Sequence, residues 1–214
     1  MMMKRDPWEE SHMKQCKLFM AILLAALCLL ACAAADEPTV YQSGHFKYIL
    51  LEDGTAEITV YTGKAETLDV PEMLNGYRVT SIGEYAFMSS NPLTNITLPN
   101  GVTRIRNYAF RFCFNLKSVT LPEGLTSIGN DAFSGCAFLT SITLPDGLTD
   151  MGSGVFYSCR ALASVTLPES LTSIGDKAFS FCSAQLVITV PQGSYAEQWC
   201  IDNGHNYTYS NAVE

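Results

Sequence analysis

Cys113, Cys136, Cys159 and Cys182 follow one another at intervals of 23 residues. Thiols at a fixed spacing could ligate a metal, pair as disulfides or carry a redox reaction, and each use demands its own geometry. Structural zinc favours closely spaced cysteine pairs whose side chains converge on one point. A disulfide needs facing Cβ vectors, and a reactive thiol needs an accessible, electropositive setting. If each repeat of the chain forms one coil, the four thiols make a line with a step of ~4.8 Å and parallel side chains. That arrangement suits a buried column of small apolar groups better than a bridge or a metal centre. Disulfide and metal readings stay as minor alternatives, as does a Cys182–Cys200 pair. One repeat earlier the same place holds Ser90, also small.

The elements that would carry these cysteines are legible in rows of 23. Residues 98–120, 121–143, 144–166 and 167–189 align without a gap, and a degenerate row with five extra residues covers 70–97. Self-similarity at this period signals a solenoid of stacked coils. Leu116-x-x-Val119-x-Leu121 and its equivalents read as a short strand with alternate residues inward. Pro99, Pro122, Pro145, Pro168 and Pro191 end it, since proline cannot donate to a ladder. A second extended piece runs through Val102–Ile105, Leu125–Ile128, Leu148–Met151 and Leu171–Ile174. Gly83, Gly129, Gly152 and Gly175 then turn the chain, with Arg106 departing from this column. Phe87, Phe110, Phe133, Phe156 and Phe179 follow in short segments read as helical turns, each cysteine lying three residues beyond its Phe on the same inward face.

One coil cannot bury enough apolar surface to order itself, so the array needs neighbours and caps. Residues 46–61 alternate on both sides of Asp53-Gly54, a hairpin signal, and place an N-terminal cap at 36–64. Repeats then occupy 65–190, with six stacked strands from 65–70 to 185–190. Ser194 and Glu197 stand in capping-box register with Gly204 as a stop, so a closing helix is expected in a C-terminal cap at 191–214, followed by an extended 207–209. The fold class is therefore a solenoid of stacked coils, mainly β with short helical turns.

The first 35 residues are not part of this array. Lys14 and Lys17, an apolar run from Leu18 to Ala31, and small residues after it have the order of a secretory signal at 13–35. The run is short for a membrane span, which needs ~20 residues. Residues 1–12 read as lying upstream of the true start at Met13. Two processing readings stand. Ala33-Ala34-Ala35 suits cleavage before Asp36, releasing the chain. Leu29-Leu30-Ala31-Cys32 suits lipidation of Cys32 and a membrane anchor, although Leu30 is larger than that motif prefers.

The spacing of these rows resembles a known family. "LTSIGNDAFSGCAFLTSITLP", "EDGTAEITVYTGKAETLDVP" and "VPQGSYAEQWCIDNG" are similar to the repeat, start and end segments of BspA-type leucine-rich repeat proteins of bacterial surfaces. The resemblance covers 41–209. It implies an exported or surface-attached, non-enzymatic module that adheres to a protein or glycan on host or neighbouring cells. The alternative is a structural envelope protein without a soluble ligand.

Candidate contacts lie between the inward columns. Ser118, Thr120, Ser141, Thr143, Ser164 and Thr166 form two outward files on one face, of the kind solenoids bind through. Threonine also simply suits an exposed strand. Arg104, Arg106, Arg111 and Lys117, with Phe112 and Phe114, concentrate cations and aromatics in one repeat, a composition typical of interface anchors. A net charge of −8 argues against a nucleic-acid partner. His12 falls in the leader. His45 and His205 fall in the caps, without nucleophile, carboxylate pair or phosphate loop beside them. No catalytic residue, metal or cofactor is expected, and the chain is expected to be a monomer.

Overall fold

The computed structural model describes residues 38–210, and the segments read above as leader, signal and lipidation site (Cys32) lie outside the described residues. A hairpin opens the fold: β1 (Tyr41–Ser43), β2 (Phe46–Leu50) and β3 (Ala56–Tyr61) pair antiparallel in order. Then come β4 (Thr67–Asp69), β5 (Met73–Leu74) and β6 (Tyr77–Ile82). From there each coil contributes two short strands. They are β7 (Asn95–Thr97), β8 (Arg104–Ile105), β9 (Ser118–Thr120), β10 (Ser127–Ile128), β11 (Ser141–Thr143), β12 (Asp150–Met151), β13 (Ser164–Thr166), β14 (Ser173–Ile174) and β15 (Val187–Val190). Helix α1 (Tyr195–Asp202) and β16 (Tyr207–Tyr209) close the array.

The strands build two walls. The first is continuous: β1-β2-β3-β6-β8-β10-β12-β14, with Ile82, Ile105, Ile128, Met151 and Ile174 in register. The hairpin is thus more than a lid, because its strand β3 pairs parallel with β6 and starts this ladder. The second wall stacks the six expected strands and adds β16 as a seventh. It is not one ladder, however. It divides into β4-β7-β9 and β11-β13-β15-β16.

The third side corrects the sequence reading. The segments around Phe87, Phe110, Phe133, Phe156 and Phe179 are turns, and α1 is the one helix among the described residues. Two columns per coil take left-handed backbone. Tyr85, Tyr108, Asp131, Gly154 and Lys177 have φ of 52–64°, and Ser89, Phe112, Gly135, Ser158 and Phe181 have φ of 57–76°. Left-handed backbone costs a non-glycine residue on the order of 1 kcal/mol. The return is a third ladder. Phe110 N–H, for example, donates to the Ala132 carbonyl at 2.7 Å and Phe112 N–H to that of Ser134 at 2.8 Å. A helix would spend those N–H groups within its own segment and leave this side of each coil unbonded to the next.

The core is a column of rings. Tyr61, Phe87, Phe110, Phe133, Phe156 and Phe179 stack at centroid distances of 5.1, 5.0, 5.1, 5.6 and 5.5 Å. Trp199 and His205 seal the far end, edge-on to Phe179 at 5.8 and 6.0 Å. Around it the Leu, Ile and Val columns are buried. The closing helix is capped as its residues require: Ser194 Oγ accepts from Glu197 N–H at 3.2 Å, and Glu197 Oε2 accepts from Gly193 N–H at 2.6 Å. Coils approach closely at the glycine column. A Cβ on Gly152 would sit 2.6 Å from Asn130 N, and one on Gly175 would sit 2.4 Å from Ser153 N.

Candidate functional site

The cysteine column faces the inside. Cys113, Cys136 and Cys159 are buried, Cys182 is half-buried, and all are free thiols. Each Sγ donates to the carbonyl of the preceding coil's Phe: Cys113 to Phe87 at 3.0 Å, Cys136 to Phe110 at 3.3 Å, Cys159 to Phe133 at 3.2 Å and Cys182 to Phe156 at 3.0 Å. Burial pushes Cys113 up to about 12 and Cys182 to about 11, with Cys136 and Cys159 also well above the ordinary thiol. Burial and the bond to a carbonyl fit a column of small packing groups. Among the described residues no three His, Cys, Asp or Glu side chains gather as a metal site.

The hydroxyl files project outward from β9, β11 and β13. Ser118, Thr120, Ser141, Thr143 and Ser164 are exposed and Thr166 is half-buried. Ser118 Oγ donates to Asn95 Oδ1 at 2.7 Å. The hydroxyls of Thr120, Ser141, Thr143, Ser164 and Thr166 have no hydrogen-bond partner among the described residues. A second threonine column, which sequence reasoning passed over, behaves otherwise. Thr126 Oγ1 donates to the Thr103 carbonyl at 2.9 Å, Thr149 to Thr126 at 3.2 Å and Thr172 to Thr149 at 3.2 Å. Exposure alone does not separate the two columns; hydrogen bonding does.

The break in the second wall falls within the hydroxyl files. Lys117 and Ser118 N–H reach the Thr94 carbonyl, and Ala163 N–H reaches that of Thr140, yet no bond joins β9 to β11. A notch of about 320 Å³ opens there, lined by Ser118, Thr120, Ser141, Thr143 and Glu123. Val119 and Leu121, whose counterparts Ile142 and Leu144 are buried, are half-exposed at its floor.

The four cations are not brought together. Arg104 lies exposed on β8, in a shallow groove with Asp53 and Thr80. Arg106, itself exposed, is committed to an ion pair: its Nε is 2.6 Å from Oε2 of Glu57, a buried carboxylate that also accepts from Ser81 Oγ at 2.7 Å. This explains its departure from the glycine column, where the coil before has Gly83 packed against Glu57. Arg111 sits on the turn side, with its guanidinium 5.2 Å from the Tyr108 ring and 4.6 Å from that of Phe112. Lys117 enters β9 beside Ser118, so it alone borders the hydroxyl files. A linear cluster of 14 residues from Arg104 to Lys117 passes around more than half a coil of 23, and its side chains leave by different walls.

Two parallel β walls, a turn ladder and caps at both ends define a leucine-rich repeat solenoid. The chain belongs to the family described as the BspA type leucine rich repeat region, whose model matches residues 80–207 in 6 copies. Solved structures agree. A leucine rich repeat protein of T. pallidum is 34% identical, covers 71% of each chain and superposes with a TM-score of 0.67. A leucine rich cell surface protein of Faecalibacterium prausnitzii is 31% identical over 74% of this chain and 52% of its own, with a TM-score of 0.57. A leucine-rich repeat protein of Bacteroides capillosus is 35% identical over 59% of this chain and 96% of its own, with a TM-score of 0.54. No curated protein matches the chain. Among the described residues no helix is long and apolar enough to cross a membrane.

Proposed function

We propose that the protein is an exported, non-enzymatic recognition module that binds a protein or glycan of a host or neighbouring cell through the hydroxyl files of its second wall. The observation that carries this reading is the contrast between the two threonine columns. One spends its hydroxyls on the backbone, whereas the other leaves them free, Ser118 excepted, in two files beside the notch where β9 and β11 do not pair. Unspent donors and acceptors on a rigid strand are positioned for a ligand at no further ordering cost. The signal-like order of residues 13–35 and the surface description of the F. prausnitzii relative support an extracellular setting. Seven strands at ~4.8 Å make a face about 30 Å long and one strand wide, well below the ~800 Å² per partner of a standard interface. Affinity per copy is therefore weak, and display in many copies on a surface would raise it.

The test is a binding screen of the exported protein against matrix proteins, mucins and cell-surface glycans, repeated with Ser141→Arg plus Ser164→Arg. Loss of the hits by about tenfold or more, with an unchanged melting temperature, is expected. Hits that survive the double change would remove the hydroxyl files from the function.

A further inference from the structure

The turn side carries a second feature that the hydroxyl files do not use. Its two left-handed columns are bulky at one end, with Tyr108 and Phe112, and again at the other, with Lys177 and Phe181. Between them stand Asp131 and Gly154 in one column and Gly135 and Ser158 in the other. The loss of bulk over two consecutive coils leaves a groove of about 640 Å³. Ligand pockets commonly measure roughly 300–1,000 Å³. The glycines create this space as well as tolerate the backbone. A Cβ on Gly135 would meet the Phe112 ring at 2.7 Å, and one on Gly154 would meet Asp131 Oδ1 at 2.8 Å.

Four charged groups line the groove: Arg111, Asp131, Asp176 and Lys177. None pairs with another, because Arg106–Glu57 is the one ion pair among the described residues. Arg111 Nε is buried and has no hydrogen-bond partner among the described residues, although cationic stacking on Tyr108 and Phe112 fixes its guanidinium. A buried donor without a partner is costly, and Asp131, Asp176 and Lys177, which water reaches, leave both signs of charge available to a ligand. The charges sum to zero, so a strongly anionic or cationic ligand gains nothing in net attraction. A neutral polyol does gain, because each hydroxyl can donate to a carboxylate and accept from a cation. Tyr157 flanks the same space and offers its ring to the ring carbons of a sugar, whereas the Phe112 ring is taken up by Arg111 and Phe114.

We propose that this groove binds neutral hexose units of a surface glycan, with Asp131 and Asp176 accepting from sugar hydroxyls, Arg111, held by Phe112, and Lys177 donating to them, and Tyr157 packing against the sugar ring. The site rests on the recognition reading for the kind of partner, but it uses a different wall, so the two can fail separately.

The experiment is calorimetric titration of the exported protein with neutral hexose oligosaccharides of two to four units, compared among the natural protein, Asp176→Ala, Arg111→Lys and Ser141→Arg. Hydrogen bonds to charged groups predict a loss of about tenfold or more for Asp176→Ala. Arg111→Lys, which keeps the charge but not the planar stack, is also expected to weaken binding, while Ser141→Arg, on the other wall, leaves the affinity of the groove unchanged whatever it removes from the hydroxyl files. Far-UV circular dichroism and melting identify any variant that fails to fold, and the two groove variants replace each other as tests. The proposal is overturned by no binding at millimolar sugar, by binding that Asp176→Ala and Arg111→Lys both leave intact, by loss in Ser141→Arg alone, or by binding of charged peptides in place of the sugars.

Discussion

The two β walls of this solenoid carry the same residue type at the same period and use it differently. On the continuous wall Thr103, Thr126, Thr149 and Thr172 face solvent, yet their hydroxyls close on the carbonyl of the coil before. On the divided wall Thr120, Thr143 and Thr166 keep theirs free. The first wall is a spine, extended by the hairpin at β3. The second is interrupted between β9 and β11 and exposes part of its apolar floor there. Repetition with one residue type is thus no guide to role. What decides is whether the side chain's hydrogen-bonding capacity is already spent within the fold.

The largest effect should come from what the walls share. Phe133 lies in the middle of the ring column, fully buried between Phe110 and Phe156. Phe133→Ala is expected to cost about 3–5 kcal/mol, read by chemical denaturation. Hydrogen exchange should then quicken on both walls together. Acceleration confined to the divided wall would show that the walls are separate folding units and weaken the contrast drawn between them.

The contrast itself predicts a smaller, asymmetric pair of effects. Thr126→Val deletes a bond of 2.9 Å to the backbone and should lower stability by about 0.5–1.5 kcal/mol. Thr143→Val deletes no internal bond and should stay within about 0.5 kcal/mol of the natural protein, while weakening ligand capture. Equal costs for the two in thermal or urea unfolding would erase the distinction.

The smallest effect concerns the terminal cap of both walls. His205 stacks on Trp199 at 5.1 Å, and burial holds its imidazole below the usual 6.5. Above that pH the ring is neutral in both folded and unfolded chains, and its packing contributes fully. As pH falls through 6.5 the unfolded chain takes the proton first, so stability declines, and the decline ends below the folded-state value. Melting followed between pH 5 and 8 should show this slope, reduced in His205→Gln. Glu197, which accepts from the Tyr209 hydroxyl at 2.6 Å, is held below the ordinary carboxylate range and acts only at lower pH.

Much of the fold was legible because the repeat writes each buried column several times over. The Leu, Ile and Phe columns, the six stacked strand positions, Ser194 with Glu197, and the hairpin at Asp53-Gly54 all follow from local rules applied to 23-residue rows. The turns did not read correctly, since "AF" has helical propensity and only the demand for inter-coil hydrogen bonds turns Tyr108 or Phe112 left-handed. The candidate site was legible in part. The outward placement of the hydroxyl files was legible, but the threonine column bonded to the backbone was passed over, since both look alike in sequence. The cluster from Arg104 to Lys117 looked like one patch because proximity in sequence resembles proximity in space. In a coil, 14 residues travel most of the way around the axis, and Arg106 ended on a buried Glu57 from 49 positions earlier.

The class of fold, the period and the inward columns follow from residue order alone, because burial at fixed spacing is a local property multiplied by repetition. Packing between coils settles which hydroxyls are free, where the second wall parts, and that the cysteines close a bond onto a phenylalanine carbonyl of the coil before. Those depend on where each coil's donors meet its neighbour's acceptors, and that distance is set between rows rather than along them.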